Sequence, residues 1–204
     1  MTVRQLQMAP KDAAFHVSRR RAVLGALAGL WPRSSSASGE IVPLPLQVKL
    51  CAKVVKYDKN FARRVRDRVR VGVLVDEGNA DSRYAASTLR REFEDAHEIA
   101  GVPISVEFIA YSDASGLRAA VDSRRVAVLY LTPGFGERAA GIATSLAGTD
   151  LISVSALASD VPSGIVLGFD LVSSQPKLWV NLSSAQQQNV LFEPQALKLM
   201  KVFR

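Results

Sequence analysis

The chain has 204 residues, enough for one domain with a core of its own, and its 26 basic and 19 acidic side chains give a formal net charge of +7. Six of the basic residues (Arg4, Lys11, Arg19, Arg20, Arg21 and Arg33) and one acid, Asp12, lie at or before Ala37, so the rest of the chain holds 20 basic and 18 acidic residues. That near-balance argues against nucleic acid as a partner, and a lone cysteine, Cys51, excludes an intramolecular disulfide.

The first segment reads as an export signal. Ser18 and three arginines run into Ala22–Trp31, an apolar stretch of about ten residues, too short for an ordinary transmembrane helix. Paired arginines followed by Val23-Leu24, a long leading segment and an Ala/Gly-rich apolar core resemble a twin-arginine signal, although Val23 stands where such signals usually carry Phe. Small residues through Gly39 place a cleavage site after Ala37. The expectation is a cleavable signal over 1–37 and a single periplasmic domain over 38–204. Retention of the leader as an anchor would leave the domain on the same side of the membrane.

The first element of that domain is an amphipathic helix opening at Leu44 and ending near Tyr57-Asp58, with Leu46, Leu50, Lys53 and Val54 at helical spacing and Val48, Cys51 and Val55 likewise. Cys51 is therefore expected to be a buried structural thiol. Arg63–Arg70 alternates basic and valine residues without interleaved aromatics, which suits the charged approach to a strand better than a phosphate-binding patch. Val69–Val75 is almost wholly apolar, as in a strand covered on both faces. A helix over Asp81–Ala100 follows, stopped by Gly101, then a strand over Ile104–Tyr111 and a short helix over Ala114–Ser123 capped by Asp113. Val126–Leu131 is the third strand, Glu137–Leu146 a helix and Leu151–Ser155 the fourth strand. Strands over Gly164–Leu171 and Lys177–Leu182 form an antiparallel hairpin, and a last helix spans Pro194–Val202. The fold class is α/β: a parallel sheet of four strands with flanking helices, extended by a C-terminal antiparallel hairpin and a terminal helix.

Catalytic chemistry has little to draw on. His97, inside the first long helix, is the one histidine beyond the leader, and with Cys51 it provides neither a zinc ligand set nor a nucleophile–base pair. GxSxG, Walker A and HExxH patterns are absent. No enzyme activity, cofactor or metal is expected. Pro133–Glu137 between a strand and a helix could present backbone amides to an anion, but its spacing is that of a plain turn. Ligands of open parallel sheets sit beyond the carboxyl ends of the strands. That rule nominates Asp76, Asn79, Ser82, Tyr111, Thr132, Gly134 and Ser153 for a small polar ligand.

Two C-terminal stretches carry a family resemblance. Trp179-Val180-Asn181-Leu182-Ser183-Ser184-Ala185, then Phe192–Val202, resemble the ending of the YfiR-like (YfiR/HmsC-like) periplasmic proteins. Val48–Lys56, Tyr57–Phe61 and the strand containing Gly72-Val73-Leu74 agree with their opening. The resemblance implies a periplasmic regulator, typically a homodimer, that acts on an inner-membrane sensor protein; its better-known members restrain a diguanylate cyclase. The paired, redox-responsive cysteines of those members have no counterpart here, because Cys51 stands alone. The competing expectation is a small solute-binding component of a transport or sensing system.

Overall fold

The computed structural model describes residues 41–204, so the segment read as an export signal, 1–37, lies outside the described residues. Elements run in the order α1 (Leu44–Val55), α2 (Phe61–Arg64), β1 (Val69–Val75), α3 (Ala80–Ala96), β2 (Glu98–Ile99), β3 (Val102–Ala110), α4 (Ala114–Arg124), β4 (Val128–Leu131), α5 (Ala139–Leu146), β5 (Ile152–Ser155), β6 (Leu167–Val172), β7 (Gln175–Asn181), α6 (Leu182–Gln187), α7 (Pro194–Leu197) and β8 (Met200–Phe203). They build one eight-stranded sheet in the order β2-β3-β1-β4-β5-β6-β7-β8. Neighbours from β3 to β6 are parallel, β6 and β7 are antiparallel, and β8 returns parallel to β7.

Helices cover both faces, which explains the unbroken apolar runs of the central strands. Val48, Cys51 and Val55 of α1 and Leu89 and Phe93 of α3 pack on Val73, Val128, Tyr130 and Val154. On the other face Leu117 and Val121 of α4 and Ile142 and Leu146 of α5 pack on Leu74, Ile109, Leu129 and Leu131. Alternate residues of β1 and β4 thus feed opposite layers. Gly72 is small for a packing reason: a Cβ there would come 2.8 Å from the Ile109 side chain.

The parallel βαβ organisation and the hairpin are as expected, and the sheet is larger than four strands plus a hairpin. β6 pairs in parallel with β5 as well as antiparallel with β7, so the hairpin continues the sheet. Its turn is tighter than the five residues assigned to it, because Ser173 and Ser174 both adopt positive φ and the strands run up to them. The long helix ends at Ala96, with His97 as its cap at φ 59° and exposed. Ala100 and Gly101, both at positive φ, turn the β2–β3 hairpin, so Gly101 serves a strand pair and not a helix end.

The terminal helix is corrected too. It closes at Leu197, and Met200–Phe203 form β8, registered Leu178 to Met200 through Asn181 to Phe203. Leu197 and Met200 keep a helical spacing, but pairing with β7 gives the backbone a ladder, and Lys201 and Phe203 close over the Trp179 ring at 3.6 Å and 5.0 Å. Local periodicity yields to a nonlocal partner.

Buried polar side chains tie the layers together. Gln47 is fully buried on α1, and its amide donates to the carbonyls of Val42 (2.7 Å) and Ala156 (3.2 Å) while its oxygen accepts from the Tyr130 hydroxyl. Gln188 accepts from the Ser153 amide, joining α6's end to β5 (3.1 Å). Arg64, expected in solvent with the other arginines of its run, is instead sealed against the buried Asp58 (2.6 Å) and reaches Asp150 (3.1 Å).

Replacing Tyr130 with Phe leaves the Gln47 oxygen buried without a donor, and urea unfolding is expected to show a loss of about 1–3 kcal/mol. Burial pushes the Cys51 thiol up to about 12, so a thiol reagent such as DTNB is expected to label it only at the rate of unfolding.

Candidate functional site

The strand order makes one place special. After β1 the chain crosses by α3 on one face to β3, and after β3 it crosses by α4 on the other face to β4, beyond β1. The connections therefore diverge between β1 and β4, and a crevice at their carboxyl ends is where sheets of this kind accept ligands.

Six of the seven nominated residues meet there. Asn79 caps α3, its side-chain oxygen accepting from the amides of Asp81 (2.9 Å) and Ser82 (3.2 Å). Thr132, just past β4, donates its hydroxyl to the Leu74 carbonyl (2.8 Å). Its single proton thus used, Thr132 accepts from Ser82, whose Oγ lies 2.5 Å away and itself accepts from the Asp76 amide (2.9 Å). Both hydroxyls are fully buried, so they close the floor of the crevice. Gly134, at φ 104°, lets the loop after β4 lie against Asn79; a Cβ would stand 2.6 Å from the Asn79 amide nitrogen. Tyr111 packs edge-to-face on Phe135 at 5.5 Å.

Arg138, which the sequence reading did not select, holds the rim together. Its guanidinium pairs with Asp76 across the crevice and donates to the Gly134 carbonyl (3.0 Å). It lies 4.7 Å from the Phe135 ring centre and 5.4 Å from that of Tyr111. The Arg138 guanidinium, with help from the Gly78 amide, holds the Asp76 carboxyl below the usual carboxylate range. Sixty-two residues separate Asp76 from Arg138, and the only sequence signal was a base in the first turn after a Pro-Gly-Phe-Gly loop.

Ser153 goes elsewhere. It is fully buried in β5, its hydroxyl accepting from the Val166 amide (3.0 Å). Two residues on, Ser155 donates to Asp160 (2.5 Å), a buried carboxyl beside Gly136 whose pKa is raised by burial. The Pro133–Glu137 segment is a strand-to-helix turn leading into a three-residue 3-10 helix, Gly136–Arg138. Among the described residues no group of three or more His, Cys, Asp or Glu side chains is arranged to hold a metal, and no helix is long and apolar enough to cross a membrane.

Residues 63–201 match a family model, DUF4154, described as YfiR/HmsC-like. The chain belongs to that family. None of the curated proteins matches this YfiR/HmsC-like chain. Its fold is similar to two solved structures. One is the ABC domain in complex with L-Trp from Streptococcus pneumonia, at 13% identity over 74% of this chain and 61% of that one, with a TM-score of 0.56. The other is a conserved domain protein from Vibrio cholerae, at 12% identity over 79% and 60%, with a TM-score of 0.54. The chain thus spans about three-fifths of the length of each. At these identities the likeness is one of fold alone.

Two carboxyls of this end titrate in opposite senses. Asp76, with its lowered pKa, contributes stability above about pH 4 that is lost as acid protonates it, so Asp76→Asn is expected to flatten the acid side of the Tm–pH curve. Asp160, with its raised pKa, contributes stability at acid pH that is lost as the pH climbs through its folded value. Asp160→Asn is expected to remove that decline toward neutrality, read by the same thermal melts.

Proposed function

We propose that this chain is a periplasmic regulatory protein that works by contact, as a homodimer, with an inner-membrane sensor protein. The observation that carries the reading is the YfiR/HmsC-like match over residues 63–201, whose better-known members restrain a diguanylate cyclase. Two features of the molecule support it. The crevice at the switch point is floored by hydroxyls that satisfy each other and roofed by the Asp76–Arg138 pair, an arrangement suited to rigidity. Leu191, Leu199 and Val202 near the C-terminus are 55%, 78% and 38% exposed, apolar surface of the kind a protein partner covers.

The experiment is a deletion of the gene with cellular cyclic di-GMP as the readout, together with co-purification of the full-length protein with a membrane sensor encoded beside it. A rise in cyclic di-GMP and a retained sensor are expected, and Leu199→Asp is expected to weaken the retention while leaving the Tm within a few degrees, as for a change at an exposed site. Unchanged cyclic di-GMP with no sensor retained would overturn the reading.

A small polar ligand is the second reading, favoured by the position of Asp76, Asn79, Tyr111, Gly134 and Arg138 at the switch point. Ser82 and Thr132 would then support the site from beneath, because both are fully buried. Entry requires the Asp76–Arg138 pair to part. Amino acids and other small zwitterions are then expected to raise the Tm of the wild type and not of Arg138→Gln.

A further inference from the structure

At the opposite, amino-terminal end of the sheet, ahead of β4 and β5, a cleft of about 280 Å³ opens between α2, the α4–β4 connection and the α5–β5 connection. Four arginines line it: Arg63, Arg64 and Arg66 from α2 and the segment after it, and Arg125 from the turn before β4. Its two carboxylates are already engaged. Asp150 is held by Arg64 at 3.1 Å, and Asp122 by Arg118 at 2.8 Å. Arg64 is in turn spent on Asp58. Arg63, Arg66 and Arg125 are exposed, and among the described residues none of them forms an ion pair. Three guanidiniums without an ion-pair partner therefore share one concave surface, and with four arginines against two aspartates in its lining the cleft keeps an excess of two positive charges.

The backbone at Arg125 points the same way. It terminates α4 in the left-handed region, at φ 52° and ψ 51°, a position where glycine is favoured because a Cβ is strained there. An arginine held at that cap carries its charge into the cleft at a position where glycine would be the unstrained choice.

We infer that this cleft binds a phosphate group. A single carboxylate carries one charge and would leave one positive charge unmatched, whereas a phosphate offers up to two charges and several acceptor oxygens to the forked N–H donors of arginine. The group arrives on a soluble phosphate or on a phospholipid headgroup. The site lies across the sheet from the Asp76–Arg138 crevice and stands apart from the regulatory reading, since neither the cleft nor its arginines contribute to that crevice.

The test titrates the full chain with inorganic phosphate against chloride at matched ionic strength, by calorimetry and thermal shift. In parallel it is sedimented with vesicles of phosphatidylglycerol or of phosphatidylcholine. Arg63→Gln, Arg66→Gln and Arg125→Gly are each expected to weaken binding by about tenfold or more, as loss of a charge-assisted donor does. Arg125→Gly is also expected to keep or raise the Tm, because it relieves the left-handed cap. Arg91→Gln, an exposed arginine on α3, is the control and is expected to bind like wild type. Saturable phosphate binding lost in the three variants supports the site with a soluble source. Binding confined to phosphatidylglycerol vesicles and lost in the same variants supports it with a headgroup source. Failure of both probes, retention of binding in the variants, or equal loss in Arg91→Gln overturns it, as does a lower Tm in Arg125→Gly with binding intact.

Discussion

A sheet covered on both faces leaves no water for the polar groups within it, and most of the structure follows from that constraint. Most buried hydroxyls, amides and carboxyls near the central strands find a protein partner, with the Ser105 hydroxyl and the Trp179 indole N–H as exceptions. Tyr130 finds Gln47, Ser153 finds the Val166 amide, Ser155 finds Asp160, and Thr132 finds Ser82 and the Leu74 carbonyl. These pairs join elements that apolar packing alone would leave free to slide. α1 is held over β4, and the start of α3 is held at the end of β4.

The same constraint separates the two ends of the sheet. At the carboxyl end, polar groups are mutually satisfied and the one charged pair, Asp76–Arg138, spans the loops. At the amino end, Asp58 and Asp150 both pair with Arg64, and its sequence neighbours Arg63 and Arg66 have no direct ion-pair partner among the described residues. One end is saturated by its own contacts and the other carries unspent charge.

Strand runs such as VRVGVLV and the 3.6-residue spacing of Ala85, Leu89 and Phe93 were legible because burial imposes them locally, and so were the caps Asn79 and Asp113. The carboxyl-end rule gathered Asp76, Asn79, Ser82, Tyr111, Thr132 and Gly134 correctly in space because it depends only on strand direction. Ser153 does not join them, because it lies inside β5, two residues short of its end, fully buried with its hydroxyl taken by the Val166 amide. Arg138 and Arg64 were not legible, since their partners Asp76 and Asp58 are fixed by topology and by turns, not by spacing. β8 was read as helix because Leu197 and Met200 obey a helical period that only an available sheet edge could override.

The antiparallel bridge from Asp58 to Phe192 gives the chain a temporal order as well as a shape. Asp58 accepts from the Leu191 amide 133 residues further on, and Arg64 donates to the Asn189 carbonyl across 125 residues. The segment that follows α1 and the segment between α6 and α7 are therefore fastened together. Closing a loop of well over a hundred residues costs more chain entropy than the local βαβ contacts do, so the clasp is expected to form after them in refolding. Until it closes, the Asp58 carboxylate and the Arg64 guanidinium are hydrated separately, and α1 lacks its tie to the far part of the chain.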